Sequence, residues 1–283
     1  MSTDLPPLRD VIAEFGLGAD KSFGQHYLLD LNLTAKIASL GGSLDGRAVL
    51  EVGPGPGGLT RALLAAGADK VIAIEKDARF IPALEMTGEA YDNRLTLVRD
   101  DALNTDDVAL TGDGAVIASN LPYNVGTALL IKWLRSEPIW WSTAILMFQR
   151  EVADRVVAPA GSKAYGRLAI ITAARAQAKL ALKVPARAFT PPPKVESAVV
   201  VLHPLPADQR FADIEALEII TESAFGQRRK MLRSSLKSAA GRIGTSAEAL
   251  LETAGIDATA RAETIPPQGF MDLARAWRAA KGG

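Results

Sequence analysis

The chain has 283 residues, 48% hydrophobic and 23% charged, which excludes a fibre or a disordered tail and leaves room for a main domain with a smaller appendage. Its 32 basic and 32 acidic residues cancel, so affinity for a polyanion has to come from a local patch. Cysteine is absent, which removes disulfides, thiolate nucleophiles and cysteine-held zinc or iron–sulfur centres.

Residues 1–20 carry Asp4, Asp10, Glu14 and Asp20 and no apolar run, unlike a secretory or transit peptide, so a cytoplasmic location is expected. Apolar runs such as 144–148 fall far short of the roughly 18 residues a membrane-spanning helix needs, and no membrane role is implied. Short apolar runs at 48–52, 71–75, 95–98, 116–119 and 143–148 alternate with helical or turn-like stretches, the rhythm of βαβ units. Their continuous apolar character, as in Val71-Ile72-Ala73-Ile74, suits strands covered by helices on both faces of a mostly parallel sheet.

Helices are predicted over 151–158 and 165–175, then strands over 180–184 and 197–202. Pro191, Pro192 and Pro193 lack amide donors and hold an extended backbone, so that stretch is a rigid connector. Two prolines in 203–208 end the last strand, and the remainder predicts helices over 214–225, 228–238, 247–253 and 269–279. The expected division is an α/β domain over 1–206 and a small helical domain over 207–283.

The strand at 48–52 runs into Gly53-Pro54-Gly55-Pro56-Gly57-Gly58 and then an amphipathic helix. Glycines in such a turn let a nucleotide-type cofactor approach the backbone, and Glu75, closing the next strand, is placed to accept from ribose hydroxyls. Gly53, Gly55 and Gly58 equally fit a dinucleotide fingerprint, so the loop alone does not separate a nicotinamide enzyme from a methyltransferase. Asp101, just past the third strand, is either an acceptor for an adenine amino group or a helix N-cap.

Asn120-Leu121-Pro122-Tyr123 follows the fourth strand, at the edge where open α/β sheets bind ligands. A tetrad of this kind, behind the glycine loop and the acids, resembles the methyltransferases that act on exocyclic adenine nitrogens. The amino lone pair is delocalised into the ring, so two acceptors are needed to rehybridise the nitrogen before it attacks a sulfonium methyl. That resemblance implies that the Asn120 side-chain oxygen and the Leu121 carbonyl accept the amine hydrogens, Pro122 fixes the turn and Tyr123 stacks on an unpaired or extruded base. In-line placement at about 3–3.5 Å then supplies much of the rate without a strong base. An isolated Asn-x-Pro-Tyr is otherwise a turn that ends a strand.

Over nearly the whole length the chain resembles the ribosomal RNA adenine dimethyltransferases of the KsgA type, whose fold is a Rossmann-like class I methyltransferase domain with a helical C-terminal domain. Residues 21–30 resemble the family's N-terminal motif, which implies that His26 and Leu28 line the methionine end of S-adenosylmethionine, although the family generally has Asn at the position of His26. Residues 189–199 resemble a late motif, which implies that Phe189 sandwiches the target base opposite Tyr123; without the family it reads as core. Phe225 to Arg233 match as well, and between Glu222 and Glu248 there are six basic residues and no acid. Arg228, Arg229, Lys230, Arg233 and Lys237 are the candidate RNA contacts, with Lys230, Arg233 and Lys237 expected on one helix face; a solvated cationic face is the alternative.

The resemblance implies N6,N6-dimethylation of two adjacent adenosines near the 3′ end of small-subunit rRNA in an immature subunit, by a monomer, with no metal in the chemistry. Three rivals stand beside it: a large-subunit methyltransferase of the erythromycin-resistance type, a nicotinamide oxidoreductase, and a non-catalytic assembly factor. The 228–237 segment and Thr264-Ile265-Pro266 favour the small-subunit enzyme over the first, the tetrad opposes the second, and intact Glu75, Asp101 and Asn120 oppose the third.

Overall fold

The computed structural model describes residues 5–18 and 25–282, in two compact units. The first comprises the described parts of 1–153 together with 179–204; the second comprises 154–178 and 205–282. In chain order, α1 (Leu8–Glu14) and the short β1 (Tyr27–Leu28) precede α2 (Leu31–Ser39), β2 (Ala48–Val52), α3 (Gly58–Ala65) and β3 (Lys70–Ile74). Next come α4 (Ile81–Ala90), β4 (Leu95–Val98), α5 (Asp107–Thr111), β5 (Ala115–Asn120), α6 (Gly126–Arg135) and β6 (Trp141–Gln149). After α7 (Arg150–Val156) and α8 (Arg167–Arg175) the chain forms β7 (Ala176–Val184), β8 (Phe189–Thr190) and β9 (Ser197–Pro204).

Seven strands form one sheet in the order β4-β3-β2-β5-β6-β9-β7. Neighbours from β4 to β6 are parallel, and β9 runs antiparallel to β6. The expected mostly parallel, Rossmann-like sheet is therefore present. Val71, Ile72, Ala73 and Ile74 are each 2% exposed or less, so the strand shows no alternation because both of its faces are covered. The chain builds outward from β2 through β3 to β4, then crosses to β5 on the other side of β2. This reversal opens a crevice beyond the carboxyl ends of β2 and β5, where the glycine loop and the tetrad lie.

Two glycines in the loop are required by their surroundings. Gly53 has φ +66°, and a Cβ there would stand 3.1 Å from Pro122 Cγ. At Gly58 a Cβ would stand 2.4 Å from the Leu28 carbonyl oxygen, so only glycine lets β1 cross the start of α3 this closely. Gly58→Ala is expected to destabilise the protein by about 1–3 kcal/mol through overpacking against backbone. A wild-type urea midpoint for that variant would contradict the reading.

The second unit adds α9 (Ile214–Gly226), α10 (Leu232–Ser235), α11 (Lys237–Gly241), α12 (Ala247–Thr253) and α13 (Pro267–Gly282). Its core includes Phe270 and Trp277, whose indole N–H donates to the Ala239 carbonyl at 2.8 Å. Tyr165 donates to the Ile265 carbonyl at 2.8 Å, and Ala169, Ile170 and Ala174 of α8 join the same core. The division at 206/207 is corrected accordingly: the cut after Pro204 lies close to it, but 154–178 belongs to the helical unit because α8 buries its apolar face there.

The helix expected over 228–238 is also corrected. Met231 is extended (ψ 152°) and bridges to Arg261, while the amides of Leu232 and Arg233 donate to the carbonyls of Ala260 and Ala258. Those bonds stop a helix from running through 231, so Lys230 stands before α10 and the three cations Lys230, Arg233 and Lys237 do not share one helix face.

Candidate cofactor and active site

A cavity of about 560 Å³, within the range of cofactor sites, occupies the crevice of the first unit. His26, Leu28, Gly53, Gly55, Glu75, Asp101, Asn120, Leu121, Pro122 and Tyr123 all line it. Lys21 to Gly24 of the N-terminal motif lie outside the described residues. At the back of the crevice, the buried Ser119 hydroxyl donates to the Val52 carbonyl at 2.6 Å and ties β5 to β2. The end of β2 and the end of β5 are thereby held together just where each strand gives way to its loop.

Glu75 accepts from the amide of Gly55 at 3.1 Å and from that of Asp77 at 2.8 Å, which fixes its carboxylate against the glycine loop. Burial nevertheless pushes its pKa up. Asp101 accepts from the Leu103 amide at 3.0 Å and from Lys76 at 3.0 Å; the amide bond and then the ammonium hold its pKa down. It caps a turn and not a helix, since Asp106 is the residue that caps α5.

The Asn120 carboxamide, at the end of β5, receives no hydrogen bond among the described residues and borders the cavity. The Pro122 carbonyl accepts from the amides of Val125 and Gly126 and so starts α6. Tyr123 is half-buried, shares a 2.9 Å hydrogen bond with Ser197 Oγ, and has its ring 6.0 Å from that of His26 at an interplanar angle of 36°. Burial raises its pKa, which keeps the phenol neutral. His26 Nδ1 lies 2.8 Å from the Pro191 carbonyl oxygen. A carbonyl only accepts, so Nδ1 carries a proton.

Three further contributors to the site are Glu51, Ser119 and Ser197, the last of them inside the late motif at 189–199. Glu51 does interrupt an otherwise apolar buried strand, and that anomaly is a signal. It is 1% exposed, lines the cavity, and accepts from the Thr60 hydroxyl at 2.7 Å, yet desolvation raises its pKa to about 8. The folded state therefore holds a proton that the unfolded chain releases from about 4.5 upward, so ligand-free stability falls as pH rises toward about 8. Glu51→Gln is expected to flatten this part of a stability–pH profile measured by urea unfolding. An unchanged slope would contradict the assignment.

Comparison with known proteins follows the geometry closely. The family described as ribosomal RNA adenine dimethylase matches residues 17–278. The chain belongs to this family. It is 68% identical over 283 residues to the ribosomal RNA small subunit methyltransferase A of Maricaulis maris, covering 99% of this chain and 98% of that protein. It is 56% identical to the protein of the same name from Azorhizobium caulinodans, covering 99% and 96%. A dimethyladenosine transferase structure from Plasmodium falciparum superposes with TM-score 0.77 at 25% identity, over 90% of this chain and 98% of that one. The 23S rRNA methyltransferase ErmE gives TM-score 0.65 at 26% identity, over 89% and 99%.

As a member of this dimethylase family, the protein uses S-adenosylmethionine, and its own crevice fits that cofactor. Glu75, Asp77, Asp100 and Asp101 line it beside the protonated Glu51, a surplus of carboxylates over Lys76 and Arg79 that suits a ligand bearing an ammonium and a sulfonium. The same surplus opposes the pyrophosphate of a nicotinamide cofactor.

Not every candidate residue of the dimethylase reaches the cavity. Phe189 is 2% exposed, pairs with Leu28 across β8 and β1, and packs in the core with Ile37 and Val199. It is a core side chain in this structure, because the two-strand ladder turns it inward, and it is absent from the cavity lining. In the second unit, Arg228 pairs with Glu263 at 3.0 Å and donates to the carbonyl of Lys163 at 2.9 Å, which commits it to holding that unit together. Arg229, Lys230, Arg233 and Lys237 are exposed.

Proposed function

We propose that this protein dimethylates N6 of two adjacent adenosines near the 3′ end of small-subunit rRNA, acting as a cytoplasmic monomer on an immature subunit. The observation that carries the reading is the Asn120-Leu121-Pro122-Tyr123 tetrad at the carboxyl end of β5, bordering an acid-lined crevice. The names of the relatives at 68% and 56% identity favour small-subunit RNA over the large-subunit substrate of ErmE, which stands at 26%.

S-adenosylmethionine supplies an electrophilic methyl when bound. Gly53 and Gly55 give it close backbone approach, Glu75 meets the ribose hydroxyls, and Asp101 accepts from the adenine amino group. The backbone at Leu28 and the His26 ring border the methionine end. For the target base, the Asn120 carboxamide oxygen and the Leu121 carbonyl accept the two amine hydrogens, which turns the nitrogen lone pair out of the ring. Tyr123 supplies the stacking face, its ring held by Ser197 at the hydroxyl and by the neighbouring His26 ring. The proton lost after transfer sits on a positively charged nitrogen and leaves to water. The second unit supplies affinity for RNA phosphates through Arg229, Lys230, Arg233 and Lys237.

The test is transfer of labelled methyl to unmodified small subunits, with large-subunit RNA in parallel, followed by nucleoside analysis. Dimethyladenosine in small-subunit rRNA alone is expected; label in large-subunit RNA would move the protein to the resistance-type activity. Asn120→Ala is expected to lower turnover at least a hundredfold with cofactor affinity within a few-fold of wild type, about the loss caused by removing one preorganised polar contact. Undiminished turnover in that variant would remove the amine contact. Neutralising Arg229, Lys230 and Arg233 together is expected to flatten the salt dependence of RNA binding.

A further inference from the structure

From Arg155 to Val195 the sequence holds eight cations and not one carboxylate. Four of them, Lys179, Lys183, Arg187 and Lys194, belong to the first unit, and all four are exposed. None of the four forms an ion pair among the described residues. β7 is the outer strand of the sheet, and Lys179 and Lys183 project from the same face of it, about 13 Å apart at the usual rise per residue. The opposite face of β7 carries Leu182 and the buried Val184 into the core.

The stretch that follows is fastened to the crevice at three points. Phe189 pairs with Leu28, the Pro191 carbonyl accepts from His26, and Ser197 bonds the Tyr123 hydroxyl. Arg187 and Lys194 stand on that stretch, so the row of cations runs from the sheet edge to residues that frame the crevice.

We propose that Lys179, Lys183, Arg187 and Lys194 form an RNA-backbone track on the catalytic unit itself, which leads the strand bearing the target adenosine to Tyr123. The inference rests on the RNA-methylating function proposed above. Exposed cations without carboxylate partners suit phosphates. A protein partner would call for an apolar centre, and Val195 is the one exposed large hydrophobic residue of the segment. Lysines on an outer strand also guard against edge-to-edge pairing, but that role does not account for Arg187 and Lys194 beyond the strand.

The experiment uses the full chain and unmodified small-subunit RNA. Affinity is measured against salt for wild type, for Lys179→Gln/Lys183→Gln/Arg187→Gln, and for Lys194→Glu, which lies in a turn outside the sheet. Cofactor affinity and sedimentation are followed on the same samples. The triple variant is expected to lower the slope of log affinity against log salt by about two to three, since each phosphate left without its cation removes about 0.7–0.9. It is expected to raise KM for RNA about tenfold or more with kcat and cofactor affinity retained, and Lys194→Glu to move KM the same way by less. Unchanged slope and KM in both variants, with or without new self-association, would overturn the track while wild-type methylation still stood. Wild-type protein that neither binds nor methylates RNA would instead overturn the function on which the track depends.

Discussion

The site depends on one constraint: the sheet changes direction at β2, and the carboxyl ends of β2 and β5 are clamped together by the buried Ser119 hydroxyl on the Val52 carbonyl. Adjacent parallel strands whose connections leave toward opposite sides open a crevice at that end. Everything the chemistry uses hangs from this joint. The glycine loop leaves β2, the tetrad leaves β5, and Gly53 faces the Pro122 ring closely enough that the two loops form one wall. β1 closes the same wall by crossing the start of α3 at Gly58.

Charge then selects what the wall holds. Five acidic side chains, the buried Glu51 among them, border a cavity whose backbone turn, by itself, would serve a dinucleotide equally well. Burial opposes ionisation of Glu51 and Glu75, so these acids are costly without a counter-charge, and a cationic ligand lowers that cost. Exposed cations that form no ion pair among the described residues stand on other segments, among them Lys179, Lys183, Arg187 and Lys194 of the first unit.

Much of this was legible in the sequence. Doubly buried strands leave uninterrupted apolar runs, and the loop after β2 and the tetrad after β5 are local features whose spacing survives folding, so their placement followed from chain order. What escaped depends on contacts between distant residues. The helix read across 228–238 is broken because Leu232 and Arg233 give their amides to Ala260 and Ala258, which no local propensity encodes. α8 has the apolar face of any helix; only the core with Phe270 and Trp277 assigns it to the second unit. Phe189 carried a family role, yet its ladder with Leu28 turns the ring into the core. Glu51 was visible as a charge in a buried strand, but its protonation follows from desolvation that only the folded chain imposes.

The most direct measurement is a crystal structure of the protein with S-adenosylhomocysteine and an RNA fragment carrying the target adenosine. Expected are ribose hydroxyls on Glu75, the base stacked on Tyr123, and the adenine amine within hydrogen-bonding reach of both the Asn120 side-chain oxygen and the Leu121 carbonyl. An adenine seated away from the carboxyl end of β5, or a cofactor bound outside the crevice between β2 and β5, would contradict this arrangement.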